Sequence, residues 1–388
     1  MAVRLTFTGR PVRSFGAVIG RATLEPLPPA ARTDAILVWT SAEPLPDTSG
    51  YAGILATNAV DSSAPIISGC QDLSAVEAGT VVLMDGRSGF VRMLYRPSSP
   101  HNAIFATGRC NSNCIMCSQP PTDREDPEGL AGILKMLSLI EVPPKSMGIT
   151  GGEPTLLGDG LVEILTTMKE RMPNTAIQLL TNGRAFKNPA YVEKIAKVGH
   201  PNLLLAIPLY ADTASRHDWI VQGRGAFDET VDGLYNLAHY GLRIEIRVVL
   251  HKETIPRLER LVEFIFRNLP FVEHVALMGL ENMGYVKKNW DMLWIDPADY
   301  AGPLKRVVEY LYIRGMAVSI YNVQLCLLPK ELWALARQSI SDFKNIYIEA
   351  CDRCEAKEHC CGLFSSSETR HSERIAPIVG MRRALILS

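Results

Sequence analysis

The sequence carries almost no net charge, no long apolar run and no even scatter of cysteines, and each absence removes a class of protein. Forty basic side chains face 41 acidic ones, for a formal net charge of −1. Such a chain has no broad field to draw nucleic acid or an anionic membrane surface, so neither is an expected partner. The most apolar stretch, LLLAIPLYA at 203–211, falls far short of the roughly 20 residues that span a bilayer. The first 23 residues hold scattered arginines but no continuous apolar core and no evident cleavage site, so a soluble, cytoplasmic protein is expected. What the sequence does have is nine cysteines in groups. Cys110, Cys114 and Cys117 form one group and Cys351, Cys354, Cys360 and Cys361 another, with Cys70 and Cys326 apart. Clustered cysteines in a reducing compartment more often hold a metal than a disulfide framework.

Three regions differ in texture. Residues 1–100 are rich in prolines and short apolar runs such as 35–39, and 79–84 with 90–95 flank Asp85-Gly86 as a hairpin would. They predict a small β-rich N-terminal domain, followed by a linker-like RPSSPHN. From 103, strand-like runs recur at 103–107, 146–150, 176–181, 203–208, 243–250 and 274–279. Between them Leu161, Ile164, Leu165 and Met168 share a helical face, as do Leu258, Leu261, Val262, Ile265 and Leu269. Phe227, Val231, Leu234 and Ala238 form a third such face, stopped by Gly241. This alternation predicts parallel βα units over 101–322, as an open sheet or a partial barrel, with ligands at the C-terminal ends of the strands. A Cys-rich extension occupies 323–388.

The first cysteine group lies directly after the first strand of the repeat, in ATGRCNSNCIMCSQPP. Three thiolates at this spacing can converge on one centre. A structural zinc wants four ligands, and so does a cubane cluster, one per iron. Three therefore imply either a remote fourth ligand, with His101 and His371 as candidates, or an open coordination position. Three buried thiols serving as small hydrophobes would not be flanked by Asn111, Ser112, Asn113, Ser118 and Gln119. One unit later the second strand ends in Gly151-Gly152-Glu153-Pro154. Paired glycines let a backbone approach a ligand closely, and Glu153 offers a negative charge to an ammonium.

With both motifs in this order, the sequence resembles the radical S-adenosylmethionine enzymes across roughly 103–321, and departs from them in having Met116 where an aromatic residue is usual. The resemblance implies an α/β (βα)6 partial TIM-like barrel. It also implies a [4Fe–4S] cluster on Cys110, Cys114 and Cys117 whose open iron takes the amino and carboxylate groups of S-adenosylmethionine. Reductive cleavage would give a 5′-deoxyadenosyl radical that abstracts hydrogen from a substrate, with a flavodoxin- or ferredoxin-type protein as electron donor. Gly151, Gly152, Glu153 and Pro154 would meet the methionyl amine, and Arg247, in IEIRVVL, is a candidate for the carboxylate. An arginine at that position also suits a surface ion pair.

Cys351-x2-Cys354-x5-Cys360, with Cys326 as fourth ligand, resembles the SPASM/twitch extension of peptide-modifying radical enzymes and implies a second, auxiliary [4Fe–4S] cluster. Zinc remains open there, with His359 able to replace a thiolate. The triad loop, the C-terminal cysteines and SISDFKN at 339–345 are most similar to the His-Xaa-Ser system maturases. That similarity implies maturation of a ribosomally made peptide, alongside a second radical maturase. A small-molecule cofactor precursor as substrate, or a non-catalytic zinc or cluster scaffold, are the alternatives. No residue stands out as catalytic acid, base or radical relay, though Tyr210, Tyr285 and Tyr321 lie near strand ends.

Overall fold

The computed structural model describes residues 4–59, 61–123 and 129–380. The N-terminal region is one eight-stranded sheet. It comprises β1 (Thr6–Thr8), β2 (Arg10–Pro11), β3 (Ala17–Thr23), β4 (Ala35–Trp39), β5 (Gly53–Ala56), β6 (Ile66–Ser68), β7 (Val81–Asp85) and β8 (Phe90–Tyr95). Their order is β1-β8-β7-β3-β4-β5-β6-β2. The two outer strands are joined through Gly9 alone, so the sheet curls round until its ends meet. β7 and β8 form the hairpin expected around Asp85-Gly86, antiparallel and with one register shift at Val81/Val82. Val82, Met84, Val91, Met93, Ile36, Leu55 and Ile67 fill the interior, and Cys70 is buried among them. Burial pushes its thiol up to about 11, as desolvation of a thiolate requires.

The second sheet is wholly parallel and positions the site. Its strands are β9 (Asn102–Phe105), β10 (Ser146–Thr150), β11 (Ala176–Leu180), β12 (Leu203–Pro208), β13 (Arg243–Leu250), β14 (His274–Gly279), β15 (Ala317–Tyr321) and β16 (Ala336–Arg337). They pair in sequence order from β9 to β16. Strands of a parallel sheet need crossovers, and helices α1 (Gly129–Leu139), α2 (Asp159–Arg171), α3 (Pro189–Val198), α4 (Ala214–Val221), α5 (Ala226–His239), α6 (Leu258–Asn268), α7 (Trp290–Leu293) and α8 (Ala301–Ile313) lie within them. Leu161, Ile164, Leu165 and Met168 of α2 are fully buried, as their spacing predicts. The result is a curled half-barrel. It has eight strands, two more than the six-unit repeat read from the sequence, because β15 and the two-residue β16 extend the same ladder.

A hairpin-like pair, β17 (Asn345–Ile346) with β18 (Leu363–Phe364), frames the cysteine-rich C-terminal segment. The three regions are tied together. Tyr95 donates to the Val142 carbonyl at 2.8 Å, Lys135 meets Asp34 at 2.7 Å, and Arg96 meets Asp342 at 2.9 Å. Among the described residues, no helix is long and apolar enough to cross a membrane.

Candidate active site

The loop after β9 carries Cys110, Cys114 and Cys117 to the C-terminal end of the half-barrel, where several neighbouring connections hold it. Asn113 and Ile115 donate their amides to the carbonyls of Val221 and Ile220, both at 3.0 Å. Asn289 donates to the Ile115 carbonyl at 2.7 Å, and the Tyr285 amide to the Cys117 carbonyl at 2.9 Å. Gly284 makes that last contact possible, since a Cβ there would stand 2.3 Å from the same carbonyl oxygen. From β11 comes Arg184, which donates to the Asn111 carbonyl at 2.5 Å and to Ser112 Oγ at 3.1 Å while paired to Glu229 at 2.6 Å. Asn182 donates to Asn111 Oδ1 at 2.6 Å.

All three thiols are driven toward the neutral form by burial, Cys114 up to about 12. A thiolate here therefore needs a cationic partner to offset its desolvation, which is what an iron centre supplies. Ile115 and Met116 pack with Tyr210, Ile220, Val221, Val286 and Leu293 beneath the loop. Met116 thus belongs to the packed underside of the loop.

The Gly151–Pro154 turn abuts this loop backbone to backbone. Gly152 donates its amide to the Thr107 carbonyl and Glu153 to the Arg109 carbonyl, each at 2.7 Å. A Cβ on Gly152 would stand 2.2 Å from the Arg109 oxygen, and one on Gly151, whose φ is +153°, 2.4 Å from the Thr107 oxygen. The close approach that these glycines permit is thus made by the protein's own cysteine loop. Glu153 is completely buried. One carboxylate oxygen accepts from the Thr155 amide at 3.0 Å, Thr155 Oγ1 at 2.7 Å and Thr181 Oγ1 at 2.6 Å, and the other from the Asn182 amide at 2.6 Å. Burial still pushes its carboxyl up, against those four donors. Pro154 opens the short helical turn that follows.

Inside the half-barrel, Arg247 lies between Glu245, 3.7 Å away, and Met278, whose sulfur accepts from Nε at 3.2 Å. It is an interior arginine and not a surface ion pair. Below it runs a polar chain that the sequence reading missed. Gln178 donates to Glu245 at 3.1 Å, His274 Nδ1 meets the other Glu245 oxygen at 2.8 Å, and His274 Nε2 meets Ser319 Oγ at 3.0 Å. The available signal was the polar residue at an inward position of an apolar parallel strand: AIQLL, RIEIRVVL and AVSIY. Arg184 and Asn182 carried the other missed signal, a polar TNGR turn at a strand's C-terminal end.

Tyr210 is buried beside the cysteine loop and stacks on His217 at 5.9 Å. Its amide donates to His217 Nδ1 at 3.3 Å, and burial holds that imidazole down at about 4. His251, also buried, is held down at about 3 by burial. Both rings are neutral in the fold and titrate in the unfolded chain near 6.5, so the unfolded state binds more protons as pH falls below that value. Stability is therefore expected to drop from pH 7 to pH 5 by about 2 kcal/mol for each ring, a window above the carboxylate range. Urea unfolding of His217→Gln should recover about half of that loss; an unchanged pH slope would refute it.

In the C-terminal segment, Cys326, Cys351, Cys354 and Cys360 line one small cavity, of about 20 Å³, against Leu325, Ile375 and Ile378. Neither Cys361 nor His359 lines it. Cys361 is buried with Ile340 and Phe364. Tyr347 closes one side and donates to the Cys360 carbonyl at 2.9 Å. Among the described residues, no three His, Cys, Asp or Glu side chains are grouped as they would be around a single metal ion. His101 lies on a separate lateral groove, and His371 beneath the C-terminal segment.

Residues 104–265 match the family described as Radical SAM superfamily. Two curated relatives are each named "Probable GTP 3′,8-cyclase". The one from Sulfurisphaera tokodaii is 25% identical over 193 residues, 48% of this chain and 58% of its own. The one from Metallosphaera sedula is 30% identical over 166 residues, 42% of this chain and 50% of its own. The chain thus spans about half the length of the curated relatives it matches. Among solved structures, Streptococcus suis SuiB bound to S-adenosylmethionine is similar at a TM-score of 0.47 and 17% identity, over 57% of this chain and 50% of that one.

Proposed function

We propose that this chain is a radical S-adenosylmethionine enzyme acting on a polypeptide. The observation that carries the reading is the loop of three half-buried thiols locked against a Gly-Gly-Glu turn at the C-terminal end of a parallel half-barrel. The donor set suits a cluster with one open iron: Cys110, Cys114 and Cys117 are three soft ligands whose burial opposes the bare thiolate. When bound, that [4Fe–4S] cluster supplies the electron for reductive cleavage of S-adenosylmethionine, and so the radical that abstracts hydrogen. The chain's own residues orient and protect. Gly151, Gly152, Glu153 and Pro154 fix the cysteine loop next to the place for the methionyl amine. Glu153 acts there as a positioning residue, because its oxygens are already taken by four donors. Arg247, inside the half-barrel, offers its remaining N–H groups to the methionyl carboxylate.

Cys326, Cys351, Cys354 and Cys360 are assigned to an auxiliary [4Fe–4S] cluster. Four cysteines around one apolar-walled cavity match one thiolate per iron with no open site, the arrangement suited to electron transfer. A flavodoxin- or ferredoxin-type donor would reduce the enzyme. Support for a polypeptide substrate is the sheet itself: among the described residues β9 and β16 do not pair with each other, and a groove of about 740 Å³ runs beside β9. Maturation of a ribosomal peptide beside a second radical maturase is the specific form inferred. A nucleotide substrate is the second reading, favoured by the similarity to two proteins named as probable GTP 3′,8-cyclases.

Anaerobic reconstitution tests the assignment. About eight irons per chain are expected, with 5′-deoxyadenosine formed after chemical reduction. Cys354→Ala should lose about four of them and still cleave S-adenosylmethionine. Two zinc ions and no deoxyadenosine would refute the enzyme. A mass change in a peptide encoded beside the gene supports the substrate, and consumption of GTP instead would overturn it.

A further inference from the structure

Between the N-terminal sheet and the half-barrel lies a groove of about 740 Å³, within the range of ligand sites. One wall is β9, the edge of the half-barrel. In a parallel ladder alternate residues bond to each side. β9 turns Asn102, Ile104 and Ala106 toward β10, the Ala106 amide reaching the Thr150 carbonyl at 2.7 Å. Ala103 and Phe105 therefore present their N–H and C=O groups to the groove, and Ala103 is exposed there. The opposite wall is the outer face of β8, where Phe90, Arg92 and Leu94 alternate with the buried Val91, Met93 and Tyr95. Two polar atoms of the lining, Arg96 Nε and Ser366 Oγ, are buried without a hydrogen-bond partner among the described residues. The groove reaches the site: Gln119, whose carbonyl accepts from Cys117 Sγ at 3.0 Å, and Thr150, next to Gly151, both line it.

The lining is basic. Among the described residues, its charged side chains and histidine are Arg92, Arg96, His101, Lys287 and Lys344 against the carboxylate of Glu281. Lys344 is matched to Glu281 at 2.9 Å and Arg96 to Asp342 at 2.9 Å. Lys287 is exposed.

We infer that this groove takes an extended, acidic peptide segment as an added strand on β9 and leads it to the cysteine loop. The inference rests on the polypeptide reading of the site and extends it. It gives the N-terminal domain a task as the far wall of the substrate channel. Backbone hydrogen bonds to Ala103 and Phe105 supply sequence-tolerant affinity, while Lys287 selects acidic side chains.

The test uses the reconstituted protein and a fluorescein-labelled probe, Thr-Val-Asp-Val-Thr-Val-Asp-Val, with a second probe carrying Lys for Asp. The acidic probe should bind about tenfold tighter at low salt, and Lys287→Glu should bring the ratio near one. Ala103→Pro removes the outward N–H from an edge strand without touching the β10 ladder, and should weaken the acidic probe about fivefold. Ala103→Val, which keeps the N–H, should bind as the native protein does. Amide exchange in 101–107 should slow when the probe is bound. Equal binding of both probes, native-like binding by both Lys287→Glu and Ala103→Pro, or no slowing at 101–107 would each overturn the groove. If a gene-neighbour peptide were still modified in those cases, only the groove would fall. Intact probe binding by an enzyme that consumes GTP would remove the peptide as substrate and leave the groove as a binding site.

Discussion

Replacing Cys114 with alanine is expected to abolish 5′-deoxyadenosine formation, a loss of about a thousandfold or more, because a cubane iron without its protein thiolate is not retained. Cys114 is the sharpest of the three ligands to test. Its backbone carbonyl accepts from the Cys117 amide at 3.0 Å, and its side chain packs on the cluster of Ile115, Met116 and Tyr210. Alanine keeps that turn and most of that packing, so the fold should survive and the defect should be one of iron. The count should fall from about eight to about four, the reverse of the Cys354→Ala case, in which cleavage persists. The protonation state adds a second readout. Burial holds the Cys114 thiol up at about 12, so each cluster that loads must displace protons. Reconstitution should accordingly slow as pH is lowered from 8 to 6. A Cys114→Ala protein that still forms deoxyadenosine would remove the catalytic assignment of the triad.

Much of this site was legible because its chemistry is local in sequence. Three cysteines within one loop and a Gly-Gly-Glu-Pro turn need no tertiary information to be seen, and the apolar runs of parallel strands stand out against amphipathic helices. What escaped was set by partners distant in sequence. On α5, Phe227, Leu234 and Ala238 of the expected face do pack on the core, but the fully buried face is turned toward Thr230, Gly233, Leu234 and Leu237. The helix lies on the turn after β11, where Thr230 donates to the Asn182 carbonyl at 3.0 Å. β16 is two residues long and has no period to read. The role of Glu153 also inverts with context. In sequence it is a charge beside a glycine pair; in the fold its oxygens are consumed by Thr155, Thr181 and the Asn182 amide. The same carboxylate thus links the turn after β10 to the turn after β11, which in turn holds Asn111.

That linkage gives the second large effect, expected for Gly152→Ala. The added methyl would stand 2.2 Å from the Arg109 oxygen and 2.6 Å from its carbonyl carbon. Both are backbone atoms, so no side chain can swing aside and the two turns must separate. Overpacking of this kind costs about 1–3 kcal/mol. The amide bonds from Gly152 to Thr107 and from Glu153 to Arg109 weaken with it, adding about 1 kcal/mol each. Arg109 precedes Cys110, so the displacement is delivered directly to a cluster ligand. A lower melting temperature, incomplete iron loading and a fall of about a hundredfold in deoxyadenosine formation should appear together, as a roughly 1 Å misplacement of reacting groups produces. Gly148→Ala is the matched control on the same strand. Its Cβ would meet Ala103 Cβ at 3.4 Å, an ordinary contact, and melting and iron content should hold. Were the paired glycines needed only to admit S-adenosylmethionine, Gly152→Ala would raise its KM and leave iron and melting temperature untouched. That pattern would show that the glycine pair serves the ligand and not the seating of the cysteine loop.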